Sequence, residues 1–215
     1  MIGADTACYY FCSTKYIAMF RFSILLFTGA VTLFTACKKN SSPPENQPSE
    51  RMVYFNLDNK QIRYGQPAYL LDCNGDGRKD LIFGVQIVGD PINQVDKYEF
   101  SVGADAMTRL PLNAVSEMPV CDRGLVIPAF DFGDYSWYQA NAVVMMRKIV
   151  KDAFPDRWEG LWKNAQHKYI PFQVMRNNNH YNGYVEISTD LANEQIILHG
   201  GAICKYPEVQ IIAGE

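Results

Sequence analysis

"KYIPFQVMRNNNHYNGYVEIST", residues 168 to 189, contains two runs rich in β-branched and aromatic residues, KYIPFQVM (168–175) and GYVEIST (183–189). Between them lies NNNHYNG (177–183). Asparagine and glycine accept the left-handed backbone that a tight chain reversal needs, so this segment reads as a hairpin connection between antiparallel strands.

The same grammar extends outward along the chain. RMVYFNL (51–57), PAYLL (67–71), DLIFGVQIV (80–88), KYEFSV (97–102) and EQIILHG (194–200) are short, suited to pleated structure and bounded by Gly, Asn, Asp and Pro. Many short strands spaced by turn signals predict an all-β fold, an antiparallel β-sandwich or jelly roll. One stretch stays open. In AVVMMRKIVKDAF (142–154) the apolar residues at 142, 145, 146, 149 and 153 fit a helix face, while Val143-Val144 and Ile149-Val150 suit a strand, so one short helix is compatible with the pattern. No repeat of 20 to 50 residues is visible in the chain, which argues against a propeller or solenoid.

With 215 residues, 48% hydrophobic and 20% charged, the chain can bury a core, and residues 51–215 are read as one β-domain. A formal charge of −3 argues against a nucleic-acid partner, because phosphate neutralisation needs a basic stripe, and Lys38-Lys39 and Arg78-Lys79 are pairs rather than patches.

The amino-terminal part has a different character. From Met19 the chain reads MFRFSILLFTGAVTLFTAC: Arg21 near the start, an apolar stretch from Phe22 to Phe34, then Thr35 and Ala36 before Cys37. A charged start, a short apolar region and small residues at the end make a secretory signal, residues 1–36, rather than a membrane span. A start at Met19 gives that signal ordinary proportions, and Cys8 and Cys12 then stay outside the exported protein. After Cys37, KKNSSPPENQPSE (38–50) has three prolines and no apolar periodicity, the composition of an extended tether. Leu33-Phe34-Thr35-Ala36-Cys37 resembles the lipobox of bacterial lipoproteins. That resemblance implies lipidation at Cys37 and a membrane partner through the lipid anchor. Lys38, where an aspartate would retain such proteins at the inner membrane, implies the outer membrane. The acidic run of surface-exposed lipoproteins of Bacteroidota is absent, the first acid being Glu45, so the expected attachment is periplasm-facing, with the cell surface as the other possibility.

LLDCNGDGRKDLIFG (70–84) places Asp72, Asn74 and Asp76 at loop positions 1, 3 and 5, Gly77 at 6, Arg78 at 7 and Asp80 at 9. A hard cation takes six to eight oxygens, and a glycine-bent loop turns alternate side chains inward to supply them, with the Arg78 backbone carbonyl serving at its position. Calcium (Ca2+) is the expected ion. Position 12 is Phe83, where an EF-hand needs a glutamate, and strand-like sequence flanks the loop. The pattern resembles the β-flanked calcium loop of FG-GAP and VCBS-type repeats, although here it occurs singly. The competing reading is an acidic turn without metal, its charge partly offset by Arg78 and Lys79.

A second resemblance covers the carboxy-terminal half: WEGLWKNAQHKYIPFQVMRNNNHYNGYVEIS, then EQIILHGGAIC and the closing IIAGE. It is similar to the terminal region of secreted proteins of Bacteroidota, in which a final strand completes a β-sandwich; Tyr181-Asn182-Gly183-Tyr184 stands in place of the usual aromatic-Gly-Trp. No settled activity follows from it.

Catalytic patterns are sparse. His167, His180 and His199 have no metal-ligand spacing, and no Gly-x-Ser-x-Gly elbow frames a nucleophile. Asp131 and Asp134 could serve as a glycosidase acid pair. Trp137, Tyr138, Trp158 and Trp162 could form a sugar-stacking platform or belong to the core. Of the remaining cysteines, Cys73 sits inside the acidic loop, which leaves Cys121 and Cys204 as the expected disulfide. The function expected from all this is a non-catalytic cell-envelope lipoprotein with a calcium-stabilised β-domain that binds a glycan or protein partner. The alternative is an envelope carbohydrate hydrolase using an acid pair near the aromatic residues.

Overall fold

A computed structural model describes residues 50–215. The signal segment, Cys37 and nearly all of the tether lie outside the described residues. Thirteen strands follow one another: β1 (Met52–Arg63), β2 (Tyr69–Leu71), β3 (Leu81–Asp90), β4 (Val95–Ala104), β5 (Thr108–Leu112), β6 (Val126–Ile127), β7 (Ser136–Tyr138), β8 (Val143–Val150), β9 (Arg157–Glu159), β10 (Lys168–Arg176), β11 (Asn179–Asp190), β12 (Gln195–Cys204) and β13 (Ile211–Ile212). Among the described residues there is no helix.

All pairings are antiparallel. A six-stranded sheet runs β1-β12-β11-β10-β5-β7, a five-stranded sheet runs β2-β3-β4-β8-β9, and β13 pairs with β6 in a separate ribbon. The two large sheets pack face to face as a sandwich. Ile170, Phe172, Val174, Val185, Ile187, Ile196 and Leu198 from one sheet meet Leu81, Phe83, Phe100, Val102 and Met146 from the other in a single buried cluster. The expected all-β sandwich is the observed class. The open stretch 142–154 resolves as strand β8. Val143 and Val144 pair with Val102 and Ser101 of β4, and a bulge there absorbs one residue so that Met146 still faces Phe100.

The six-stranded sheet is also buried on its outer face. Tyr169, Tyr184, Ala202 and Cys204 pack there beneath Cys121, Ile127, Ile211 and Ala213. Burial on both faces explains why Tyr169 through Val174 are buried without interruption, and hence why apolar character in 168–175 is nearly continuous.

The opening hairpin is tighter than its composition indicates. Arg176 pairs with Asn179, and only Asn177 and Asn178 form the turn, with φ of 51° and 62°. Two consecutive left-handed residues make the turn type whose twist matches the flanking strands. Two other hairpins share a second solution. Asp90 accepts hydrogen bonds from the backbone and side-chain amide of Asn93 (3.1 and 2.8 Å), and Asp190 does the same with Asn193 (3.0 and 2.7 Å). Each turn then continues through a left-handed residue, Gln94 or Glu194.

The expected disulfide is not formed. Cys73, Cys121 and Cys204 are free and buried. Cys121 bridges to Tyr169 of β10, whereas Cys204 lies on β12, with β11 between. Strand spacings of about 4.8 Å then carry the two Cα atoms beyond the roughly 7 Å that a disulfide can span.

Candidate metal loop and neighbouring sites

Residues 72–80 connect β2 to β3, and the Asp80 N–H donates to the Leu71 carbonyl (2.8 Å), which closes the loop at its base. Inside it the side chains organise the backbone. Asp72 Oδ1 and Oδ2 accept from the N–H groups of Gly75 (2.7 Å) and Gly77 (2.8 Å). Asn74 Oδ1 accepts from Asp76 N–H (2.8 Å), and Asp76 Oδ1 from Arg78 N–H (2.8 Å). Gly75 and Gly77 take φ of 75° and 89°, a conformation that an L side chain would strain.

Asp80 differs from the rest. It is 2% exposed, and its Oδ2 accepts from Cys73 N–H (2.7 Å). Burial raises its pKa to about 6, and the Asp76, Asp72 and Asp105 carboxylates push in the same direction against that one N–H bond. For Asp72 burial also acts upward, but the N–H groups of Gly77, Gly75 and Asn74 outweigh it and hold the pKa below the usual value. The Cys73 thiol is raised well above its ordinary range by burial and by Asp80 and Asp72.

Asp105, in the turn after β4, is a neighbour that loop spacing could not reveal. Its N–H donates to the Asp80 carbonyl (3.0 Å), and its carboxylate takes the Arg78 guanidinium (3.0 Å). Arg78 therefore neutralises Asp105 rather than the loop interior. Among the described residues no three carboxylate, imidazole or thiol groups converge as a ready-made metal cage. The donor chemistry still fits a hard cation. Each carboxylate oxygen has two lone pairs, and Asp72 commits one from each oxygen to the backbone.

The aromatic residues do not assemble into a platform. Trp162 is 1% exposed in the sandwich core, Trp137 is buried under the ribbon, and Trp158 packs on Phe100 with ring centroids 5.6 Å apart. Tyr138 is exposed. Trp137 and Tyr138 lie on β7 of one sheet and Trp158 on β9 of the other. Asp131 is exposed, and its Oδ1 accepts the backbone N–H of Trp137 (2.9 Å).

The fold does bring two of the three histidines together. His167 and His199 stack with centroids 4.6 Å apart. His199 Nδ1 lies 2.7 Å from Asn59 Oδ1 and its Nε2 lies 2.8 Å from Ser188 Oγ; with Nδ1 as donor to the amide oxygen, Nε2 accepts from the hydroxyl. His167 Nδ1 meets Glu186 at 2.8 Å. Ser188 is 4% exposed, and its hydroxyl also accepts the His167 N–H (3.0 Å). The third, His180, pairs instead with Glu208 (3.0 Å). Sequence spacing hides the stacked pair because 167 and 199 meet only through the β10-β11-β12 ladder.

No protein-family model, no curated protein and no solved structure matches this chain.

Proposed function

We propose that the chain is a non-catalytic cell-envelope lipoprotein, anchored through Cys37 at the periplasmic face of the outer membrane, whose β-domain is stabilised by calcium and presents a surface to a glycan or protein partner. The observation that carries the calcium part is Asp80. A carboxylate that is 2% exposed, crowded by Asp72, Asp76 and Asp105 and given one backbone N–H is costly to ionise without a cation. Asp72, Asn74, Asp76, Asp80 and the Arg78 carbonyl would hold the ion. Calcium there would neutralise the carboxylates and cross-link the end of β2 to the start of β3.

The anchor rests on the sequence of residues 19–50. Cys37→Ala should move the protein from the membrane fraction to the soluble one. Retention of that variant on membranes would contradict the anchor.

A hydrolytic reading has one feature in its favour, the Ser188–His199–Asn59 chain, which has the hydrogen-bond order of nucleophile, base and orienting group. The burial of Ser188 and its use as an acceptor by the His167 N–H weigh against it. The non-catalytic reading expects no labelling of Ser188 by a fluorophosphonate, and stoichiometric labelling there would favour the enzyme.

A further inference from the structure

The outer face of the five-stranded sheet carries a groove remote in sequence from the acidic loop. Two cross-strand rows form its floor, Arg147–Glu159 and Lys97–Ile149–Arg157, across β4, β8 and β9. The segment after β8 raises one wall with Lys151 and Phe154, enclosing a volume of about 530 Å³. A second basin of about 410 Å³ adjoins it, sharing Arg147 and Glu159 and reaching Trp162. Together the basins follow β8 from Val143 to Lys151, which at about 3.3 Å per residue is a track of about 26 Å, long enough for an extended ligand.

Its charge is unevenly satisfied. Lys97 is held by Asp90 (2.8 Å) and Arg157 by Glu159 (3.1 Å). Arg147 reaches Glu99 only at 3.8 Å. Lys151 has no carboxylate partner among the described residues, and its ammonium stands 5.3 Å from the Phe154 ring centroid. Phe154 itself is 63% exposed.

We propose that this groove binds an acidic glycan, a chain of carboxylate-bearing sugars. The C–H face of one ring stacks on Phe154, and its carboxylate pairs with Lys151 and Arg147. An exposed aromatic wall beside Lys151, which has no carboxylate partner among the described residues, suits a flat ring bearing a charge. An extended peptide would want a strand edge, and β9 offers only three residues. This inference rests on the binding part of the proposed function and is independent of the calcium loop and the anchor.

The test is calorimetric titration of the lipidated protein in detergent, at fixed free calcium, with oligosialic acid, a hyaluronan oligosaccharide, the methyl ester of each, and hexaglutamate. At least one acidic saccharide should bind, with its ester and hexaglutamate about tenfold weaker or worse. Lys151→Ala and Phe154→Ala, both on an exposed segment, should each weaken binding about tenfold with unchanged melting temperature. Hexaglutamate binding as tightly as the saccharides would assign the groove to acidic peptide and overturn the proposal. Failure of both saccharides to bind wild type that still melts higher with calcium would overturn it too, leaving the calcium reading in place.

Discussion

Gln173 of β10 and Asn182 of β11 face each other in register, and Gln173 Nε2 donates to Asn182 Oδ1 at 2.9 Å with both residues 1% exposed. The pair staples other segments onto the sheet. Gln173 Nε2 also donates to the Ala129 carbonyl (2.8 Å), and Asn182 Nδ2 donates to the carbonyls of Val209 (2.9 Å) and Pro128 (3.2 Å). Asn182→Ala strands a buried amide and two carbonyls at once, so it should cost about 2–4 kcal/mol. Urea unfolding measures this, and a loss below about 1 kcal/mol would show that the clamp is dispensable.

Gly183, the next residue, is crowded. A Cβ there would lie 2.3 Å from the Phe172 ring and 2.7 Å from the Ala202 carbonyl oxygen. Gly183→Ala should therefore destabilise by about 1–3 kcal/mol, since backbone on the β12 side cannot yield. Asn178→Gly, at φ of 62°, should do the opposite by up to about 1 kcal/mol, because glycine adopts that conformation without strain. The two variants, unfolded side by side, should move in opposite directions; a shared direction would contradict the assigned geometry.

These residues show how far the sequence could be read. Strand class was legible because β-branched and aromatic runs alternate with turn residues. Asn182 and Gly183 were visible only as part of an aromatic motif, since their partners at 129, 202 and 209 are remote along the chain. Strand β5 was missed because Pro111 interrupts it; the structure tolerates this proline where β5 pairs with the short β7 at the sheet edge. The matching Asp-x-x-Asn spacing at 90–93 and 190–193 is visible in the sequence, and Asp90 and Asp190 each cap a hairpin turn through it. In the acidic loop, spacing identified Asp72, Asn74, Asp76 and Asp80, but the burial that singles out Asp80 and the approach of Asp105 arise from tertiary packing.

The stacked histidines predict a pH dependence. Burial lowers the pKa of His199 below 6.5, stacked His167 pushes the same way, and Glu186 partly opposes them. The unfolded chain, titrating near 6.5, then binds more protons than the native state below that pH. Stability from this group is complete above about 6.5 and is lost as pH falls through the lower native value. Asn59 and Ser188, the other groups at the ring, do not titrate here. Asp80 acts with the opposite sign in calcium-free protein, so the comparison belongs in saturating calcium, between wild type and His199→Gln. Wild type should lose more stability than the variant between pH 7.5 and 5; parallel curves would contradict the assignment.

Differential scanning calorimetry of wild type and Asp76→Ala, each with calcium and with chelator, decides whether residues 72–80 bind calcium in the folded state. A cation that binds only the native state adds about 2.7 kcal/mol when its free concentration is a hundredfold above Kd, which for a domain of this size is a rise of about 5–10 °C in Tm. Asp76 is exposed, and its carboxylate accepts from Arg78 N–H and Asn74 Nδ2, so its loss should remove the response to calcium while leaving the fold intact. Wild type melting higher with calcium than with chelator, and the variant melting the same in both, is the expected result. Equal melting temperatures for wild type in both conditions would make the loop an acidic turn held by its own backbone hydrogen bonds, and would contradict the account.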